Sequence, residues 1–277
     1  MRIGVNKTFP HDSPEQWAKH LHDKGYRASR FPVSWRTDLR KVDEYLAAAR
    51  EYDIMIAEVG VWNSPHSTDP AAAAAAVRDL KDALGFADYV GARCCVNISG
   101  AAGPVWNLCY KENYSPKLYE KNVRLVQTLL DDIRPKKTYF TFEPMQWMLP
   151  DSPQQYLQFV RDVDRERFAV HMDATNFLYS PKTFLDFERI VDESFDLLGP
   201  MIRSCHIKDC RLDEERYSFC VYEVPCGDGV LNFAHYLDRI EALDPDMPAL
   251  FEHLKEEEEF DRCFAHVRAI RPDYVKK

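Results

Sequence analysis

Four residues stand where they can do chemistry together: Glu143, Asp173, His206 and Glu252. Each lies at or near the end of a short run with strand character: KTYFTFE, RFAVHMD, IRSCHIKD and PALFEHL. Side chains alternate between the two faces of an extended strand. Tyr139, Thr141 and Glu143 therefore share a face opposite Phe140 and Phe142, and Ala169, His171 and Asp173 oppose Phe168, Val170 and Met172. By the same parity His206 and Lys208 oppose Cys205 and Ile207, and Leu250 and Glu252 oppose Ala249 and Phe251. Three carboxylates and one imidazole brought together repel one another unless a cation sits among them. An oxygen-rich set with a single nitrogen suits one hard divalent ion, Mn²⁺ first and Co²⁺ or Mg²⁺ after it, better than the thiolate-rich sites of structural zinc.

Taken singly, each residue has a plainer role. A lone acid at a strand end ordinarily caps a loop, and a lone buried histidine is as readily a hydrogen-bonded core residue. Agreement in phase is what favours the metal reading, and so is the spacing of 30, 33 and 46 residues between successive members. The stretch SCHIKDC, residues 204–210, also raises a cysteine–histidine cluster. Parity argues against it, because Cys205 faces away from His206 and Cys210 lies beyond the strand.

Positioning four strand ends requires a repeating architecture, and the chain alternates β-rich runs with helical stretches eight times. The first helix is punctuated by Ser13 as cap, Pro14 at its first position and Gly25 at its stop. The alanine run near residue 71 favours helix and close packing. Acidic residues 256–259 begin the last helix, where the helix dipole favours negative charge. A helix is expected near 183–198, and a long loop after the seventh strand. Eight such units without a compositional break point to one domain, residues 1–277, folded as a (β/α)8 TIM barrel. An open doubly wound sheet is the alternative, but GVNKTFP is not the glycine-rich first turn of that fold.

Composition narrows the function. A net charge of −9 disfavours nucleic acid as partner, since phosphate neutralisation needs a basic face. The opening MRIGVNKTFP has no apolar run, and no stretch approaches the roughly eighteen apolar residues of a membrane span. A cytoplasmic protein without membrane association is expected. The eight cysteines contain no CxxC pair and read as reduced thiols, mostly packed in the core.

The segments FEP, HMDATN, CHIKD and FEH, with AEVGVW and PCGDGVLNF, resemble the sugar phosphate isomerase/epimerase family of xylose-isomerase-like TIM barrels, related to ketose 3-epimerases. The resemblance spans essentially the whole chain. It implies metal ligation by Glu143, Asp173, His206 and Glu252, with Glu143 and Glu252 also catalytic, one removing a proton α to a carbonyl and the other returning it. The implied reaction is isomerisation or epimerisation of a small carbohydrate through an enediolate. Two positions depart from the epimerases: Asn176 stands where they carry histidine, and Leu212 where they carry arginine, with Arg211 one residue earlier.

On the substrate side the candidates are Lys208, Arg211, Asn176, Trp35, Trp62 and Trp106. Tryptophans at a barrel mouth stack on sugar C–H faces and weigh against a strongly phosphate-directed site. Gly227 and Gly229 in CGDG offer backbone amides to a ligand. The same metal set would also serve a sugar or inositol dehydratase or a C-glycoside-cleaving lyase, because proton abstraction begins those reactions too. An apurinic-site endonuclease would need more histidine ligands and a basic face, and a non-catalytic carbohydrate-binding barrel would leave the four ligands without a purpose. A homo-oligomer is compatible with all of these.

Overall fold

The computed structural model describes residues 1–274, in which the alternation read from the sequence becomes a closed barrel. Its parallel strands are β1 (Arg2–Val5), β2 (Ala28–Arg30), β3 (Met55–Gly60), β4 (Cys94–Asn97), β5 (Tyr139–Phe142), β6 (Phe168–Met172) and β7 (Ile202–Ile207). A hairpin, β8 (Asp209–Leu212) and β9 (Val221–Val224), precedes the closing strand β10 (Pro248–Phe251). Around the barrel the order is β1-β10-β7-β6-β5-β4-β3-β2, a (β/α)8 TIM barrel. The outer helices are α1 (Pro14–Lys24), α2 (Leu39–Glu51), α3 (Pro70–Val90), α4 (Pro116–Ile133), α5 (Pro153–Val163), α6 (Pro181–Leu185), α7 (Phe187–Leu198), α8 (Phe233–Leu243) and α9 (Glu257–Ile270). Among the described residues no helix is long and apolar enough to cross a membrane.

Local chemistry fixes the helix starts. Ser13, Ser115 and Ser152 each accept a backbone N–H and are each followed by proline at the first helical position. Gly25 closes α1 in the left-handed conformation. Glu256 and Glu259 form a reciprocal capping box at α9, so the acidic run is a helix start. The single helix expected at 183–198 is instead divided into α6 and α7 at Asp186, whose backbone leaves helical geometry.

Two helix-borne tyrosines reach between strands at the ends that carry the candidate ligands. Tyr156 on α5 donates to the carbonyl of Phe142, just before Glu143, and accepts from the Phe142 amide at 3.2 Å. Tyr236 on α8 donates to the carbonyls of His206 at 3.0 Å and Met172 at 3.4 Å. Both rings are buried, and burial raises both phenols well above their ordinary range. They remain neutral donors that hold β5, β6 and β7 in place.

The loop expected after β7 contains the antiparallel hairpin, tied down at its base by Asp209. That buried carboxylate accepts the amides of Cys210 at 2.8 Å, Gly227 at 3.0 Å, Gly229 at 3.1 Å and Leu231 at 3.3 Å. The amides of CGDG thus serve Asp209, not a ligand. A Cβ on Gly229 would fall 2.1 Å from the Asp209 carboxylate, so only glycine permits the approach. Asp209→Ala strands four amides, and a loss of about 2–4 kcal/mol is expected because buried donors without partners cost 1–3 kcal/mol each and some regain water. Urea unfolding measures it; an unchanged midpoint would mean the clamp carries no load.

Candidate metal centre

Glu143, Asp173, His206 and Glu252 emerge from β5, β6, β7 and β10, four successive strands of the barrel. One ligand atom from each lies within 4.8 Å of those of the others. The register explains the convergence: His206 pairs with Leu250 across β7 and β10, which sets Glu252 two residues further along the same face. All four side chains are nearly or fully buried, Glu252 being the most exposed at 9%.

Each carboxylate has one oxygen engaged from behind. Asp173 caps the short 3-10 turn that follows β6, its Oδ1 accepting the Thr175 amide at 3.1 Å and hydroxyl at 2.5 Å. Glu143 Oε2 accepts from Trp62 Nε1 at 2.8 Å, and Glu252 Oε1 from Asn6 Nδ2 at 3.0 Å. The other oxygens face the centre. Asn176 Nδ2 bridges two of them, donating to Glu143 Oε1 and Asp173 Oδ2 at 3.1 Å each. Asn176 is therefore a strut between two candidate ligands.

His206 is oriented in the same way. Its Nε2 lies 3.1 Å from Glu58 Oε2, while Nδ1 lies 3.1 Å from Glu252 Oε2 and 3.5 Å from Glu143 Oε1. A carboxylate behind the imidazole fixes the tautomer and presents the opposite nitrogen, the usual support of a metal-ligating histidine. His171 packs beneath at a ring-centroid distance of 4.1 Å. Glu58, His171 and His206 make a second candidate ligand set, which shares His206 with the first. Burial, then the neighbouring His206, holds His171 well below the ordinary histidine range.

Lys208 completes the cluster. Its buried Nζ is 2.6 Å from Asp173 Oδ2 and 2.7 Å from Glu252 Oε2, with Glu223 of β9 at 3.5 Å and Glu143 at 3.7 Å. Burial opposes the ammonium, but Asp173 and Glu252 outweigh it and raise Lys208 well above its ordinary value. Likewise burial opposes the charged forms of His206 and Glu252. Glu252, Glu58 and Glu143 nevertheless raise His206, and His206 and Lys208 hold Glu252 well below the carboxylate range. Glu143 goes the other way, raised by burial and by the Glu252 charge.

The donor set fits a hard divalent ion. Two buried atoms favour the fit: His206 Nδ1 and Glu252 Oε2 face each other at 3.1 Å without a hydrogen bond, and the ion pair of Glu252 with Lys208 at 2.7 Å partly offsets the carboxylate charge there. Polar atoms in that condition are costly unless something coordinates them.

The centre opens into a cavity of about 670 Å³, a size suited to a small molecule. Trp62 and Trp106 line it; Trp35 does not. Trp35 sits on the outside of the barrel beside Arg36, where it packs on the core. Arg211 lies on β8 and lines a different surface cavity with Asp213 and Tyr222. Trp62 lies close because Gly60 has no side chain: a Cβ there would fall 1.7 Å from the indole ring. Trp62 itself has a φ of 33°, unusual for a bulky residue and costing of order 1 kcal/mol.

A family model described as a xylose isomerase-like TIM barrel matches residues 17–270. The chain belongs to the xylose isomerase-like TIM barrel family. No curated protein sequence matches it significantly. Solved structures share the fold at low identity. A D-psicose 3-epimerase from Clostridium cellulolyticum H10, determined with D-tagatose, superposes with a TM-score of 0.72 at 12% identity, covering 100% of both chains. A probable 3-DHS dehydratase from Bacillus anthracis gives 0.73 at 14%, covering 98% of this chain and 100% of that one. A xylose isomerase-like barrel from Mycobacterium smegmatis in complex with magnesium gives 0.68 at 15%, covering 99% and 98%.

Four residues around the candidate centre of this xylose isomerase-like barrel were not singled out from sequence: Asn6, Glu58, Glu223 and His253. Asn6 follows β1 and obeys the same strand-end rule. Glu58 interrupts the apolar run IMIAEVGV, and a charge inside a barrel strand is itself a signal. Glu223 reaches Lys208 only through the hairpin, and His253 meets Glu223 at 2.5 Å through a backbone with φ of 57°. Neither has a signature in one sequence.

Proposed function

We propose that this protein is a divalent-metal-dependent isomerase or epimerase of a small carbohydrate, removing and returning a proton α to a carbonyl. The observation that carries the reading is the convergence of Glu143, Asp173, His206 and Glu252 below a cavity, one ligand atom of each within 4.8 Å of the others. These four residues would hold the ion, Mn²⁺ by preference with Co²⁺ or Mg²⁺ as substitutes. A divalent ion there supplies Lewis-acid stabilisation of the charge that develops when an α-proton leaves.

The chain's own residues do the rest. Glu143 and Glu252 stand at the two ends of the ligand arc, on β5 and β10, so they approach the cavity from different sides. One takes the proton and the other delivers one, which is the arrangement an epimerisation needs. Asn6, Trp62 and Asn176 hold the two glutamates in orientation. Trp62 and Trp106 supply apolar faces for a sugar. Lys208 and Asn176 steady the carboxylates, and Trp35 and Arg211 have no part at this cavity.

Elimination is the second reading, as in a sugar or inositol dehydratase. Asn176 favours it, because a strut tied to two carboxylates does not replace the histidine that ketose 3-epimerases present to substrate. Incubating Mn²⁺-loaded protein with a panel of ketoses in D₂O separates the two. Solvent deuterium at the carbon α to the carbonyl is expected by NMR. Release of water with no exchange into recovered substrate would reject epimerisation in favour of elimination.

A further inference from the structure

Two cations reach the cavity from strands outside the candidate ligand arc. The ligand arc occupies β5, β6, β7 and β10, whereas Lys7, just beyond β1, and Arg30, at the end of β2, occupy adjacent strands on the remaining arc. Both line the same cavity as Glu143 and Glu252, together with Thr8, Trp62 and His253. Both are partly buried. Among the described residues neither has a carboxylate partner. The Arg30 guanidinium lies 5.5 Å from the centroid of the Trp62 ring, and Lys7 Nζ meets only the backbone carbonyl of Lys255.

Elsewhere in the chain several partly buried arginines do find an acid within reach. Arg2, Arg93, Arg165, Arg239 and Arg271 each do so at 2.9 Å or less. The acids within the cavity are committed elsewhere: Glu143 to Trp62 and Asn176, Glu252 to Asn6 and Lys208. Two partly buried cations that line the cavity and, among the described residues, have no carboxylate partner leave a site for an anion. Trp62 links the two arcs, with its indole N–H on Glu143 and its ring under Arg30.

We infer that the substrate carries an anionic group, a carboxylate or a phosphate, at the end remote from the four-ligand centre, bound by Arg30 and Lys7. This rests on the metal-centre reading for where the reacting end lies. The tryptophans weigh against a pocket built wholly around phosphate, and the cations add one charged contact at its edge. Arginine suits it, since its fork pairs with either anion through two parallel hydrogen bonds.

Calorimetric titration of Mg²⁺-loaded protein with D-fructose, D-fructose 6-phosphate and D-fructuronate tests the inference. At least one anionic sugar should bind about tenfold more tightly than the neutral one, as a charge-assisted hydrogen bond provides. Which of the two gains more distinguishes phosphate from carboxylate. In Arg30→Gln the advantage should fall to about threefold or less, the residue that Lys7 alone can hold, with D-fructose and Mg²⁺ affinities unchanged. Were Arg30 merely a support for Trp62, all three sugars would weaken together, and the inference would fail. Equal affinities for the three sugars, or an advantage that survives both Arg30→Gln and Lys7→Gln, would also overturn it. A Mg²⁺ titration of the same protein judges the metal reading separately: equal sugar affinities on a protein that binds Mg²⁺ defeat the anion site alone.

Discussion

Asp173→Asn is expected to lower divalent-ion affinity by at least about 100-fold, the upper end of what losing a mere supporting partner costs. The substitution divides the two duties of Asp173. Its Oδ1 caps the following turn through Thr175, and asparagine caps a turn as well as aspartate does. The carboxamide oxygen therefore stays with Thr175, and the NH₂ group replaces Oδ2 beside Lys208 Nζ and Asn176 Nδ2, where it can neither accept from them nor ligate. Ion binding should be lost and the chain should still fold, with reduced stability because Lys208 loses its nearest carboxylate. Titration of Mn²⁺ into chelator-stripped protein measures the first effect, and thermal unfolding in EDTA checks the second. An affinity within threefold of the unsubstituted protein would remove Asp173 from the ligand set and with it the proposed centre.

Lys208→Met should produce the largest change in stability, and one that depends on the ion. The ammonium is 1% exposed and lies within 3.7 Å of Glu143, Asp173 and Glu252. Without it three buried carboxylates confront one another with only His206 to offset them. Removing one partner of a buried ion pair costs about 3–5 kcal/mol, because the charge left behind keeps its desolvation penalty. Guanidinium unfolding in EDTA should show a loss of that size. Saturating Mn²⁺ should restore much of it, since a bound divalent ion supplies the missing charge and stabilises by mass action. Equal losses with and without Mn²⁺ would show that the ammonium and the ion do not serve the same carboxylates.

The barrel was legible because its signals are local and repeated. Serine–proline starts, a glycine stop and period-two strands recur along the chain, and eight repeats leave few ways to close a sheet. Strand parity also carried the four candidate ligands, since a residue's face depends only on its place in the strand. What was not legible depended on longer-range geometry. Trp35 and Trp62 both follow predicted strands, yet only Trp62 turns into the mouth, because Gly60 clears the space for its ring. Arg211 is adjacent in sequence to the Lys208–Asp209 pair, but β8 carries it onto the hairpin and out of the cavity. Asn176, read as a contact for substrate, is drawn between Glu143 and Asp173 by a turn whose geometry Asp173 itself sets.

The Asp209 clamp has a consequence for how this barrel can be altered. The carboxylate fixes both ends of the segment between β7 and α8, at Cys210 on one side and at Gly227, Gly229 and Leu231 on the other. The backbone bond from the Asp213 amide to the Cys220 carbonyl, at 2.9 Å, then closes off a tip that carries the fully exposed Tyr217. The tip is thus a replaceable cassette. Exchanging, lengthening or trimming its residues is expected to leave Glu223 in place beside Lys208, so the tip and the candidate metal centre can diverge independently. Insertions and fusions would begin at residues 214–219, where the scaffold has the least to lose.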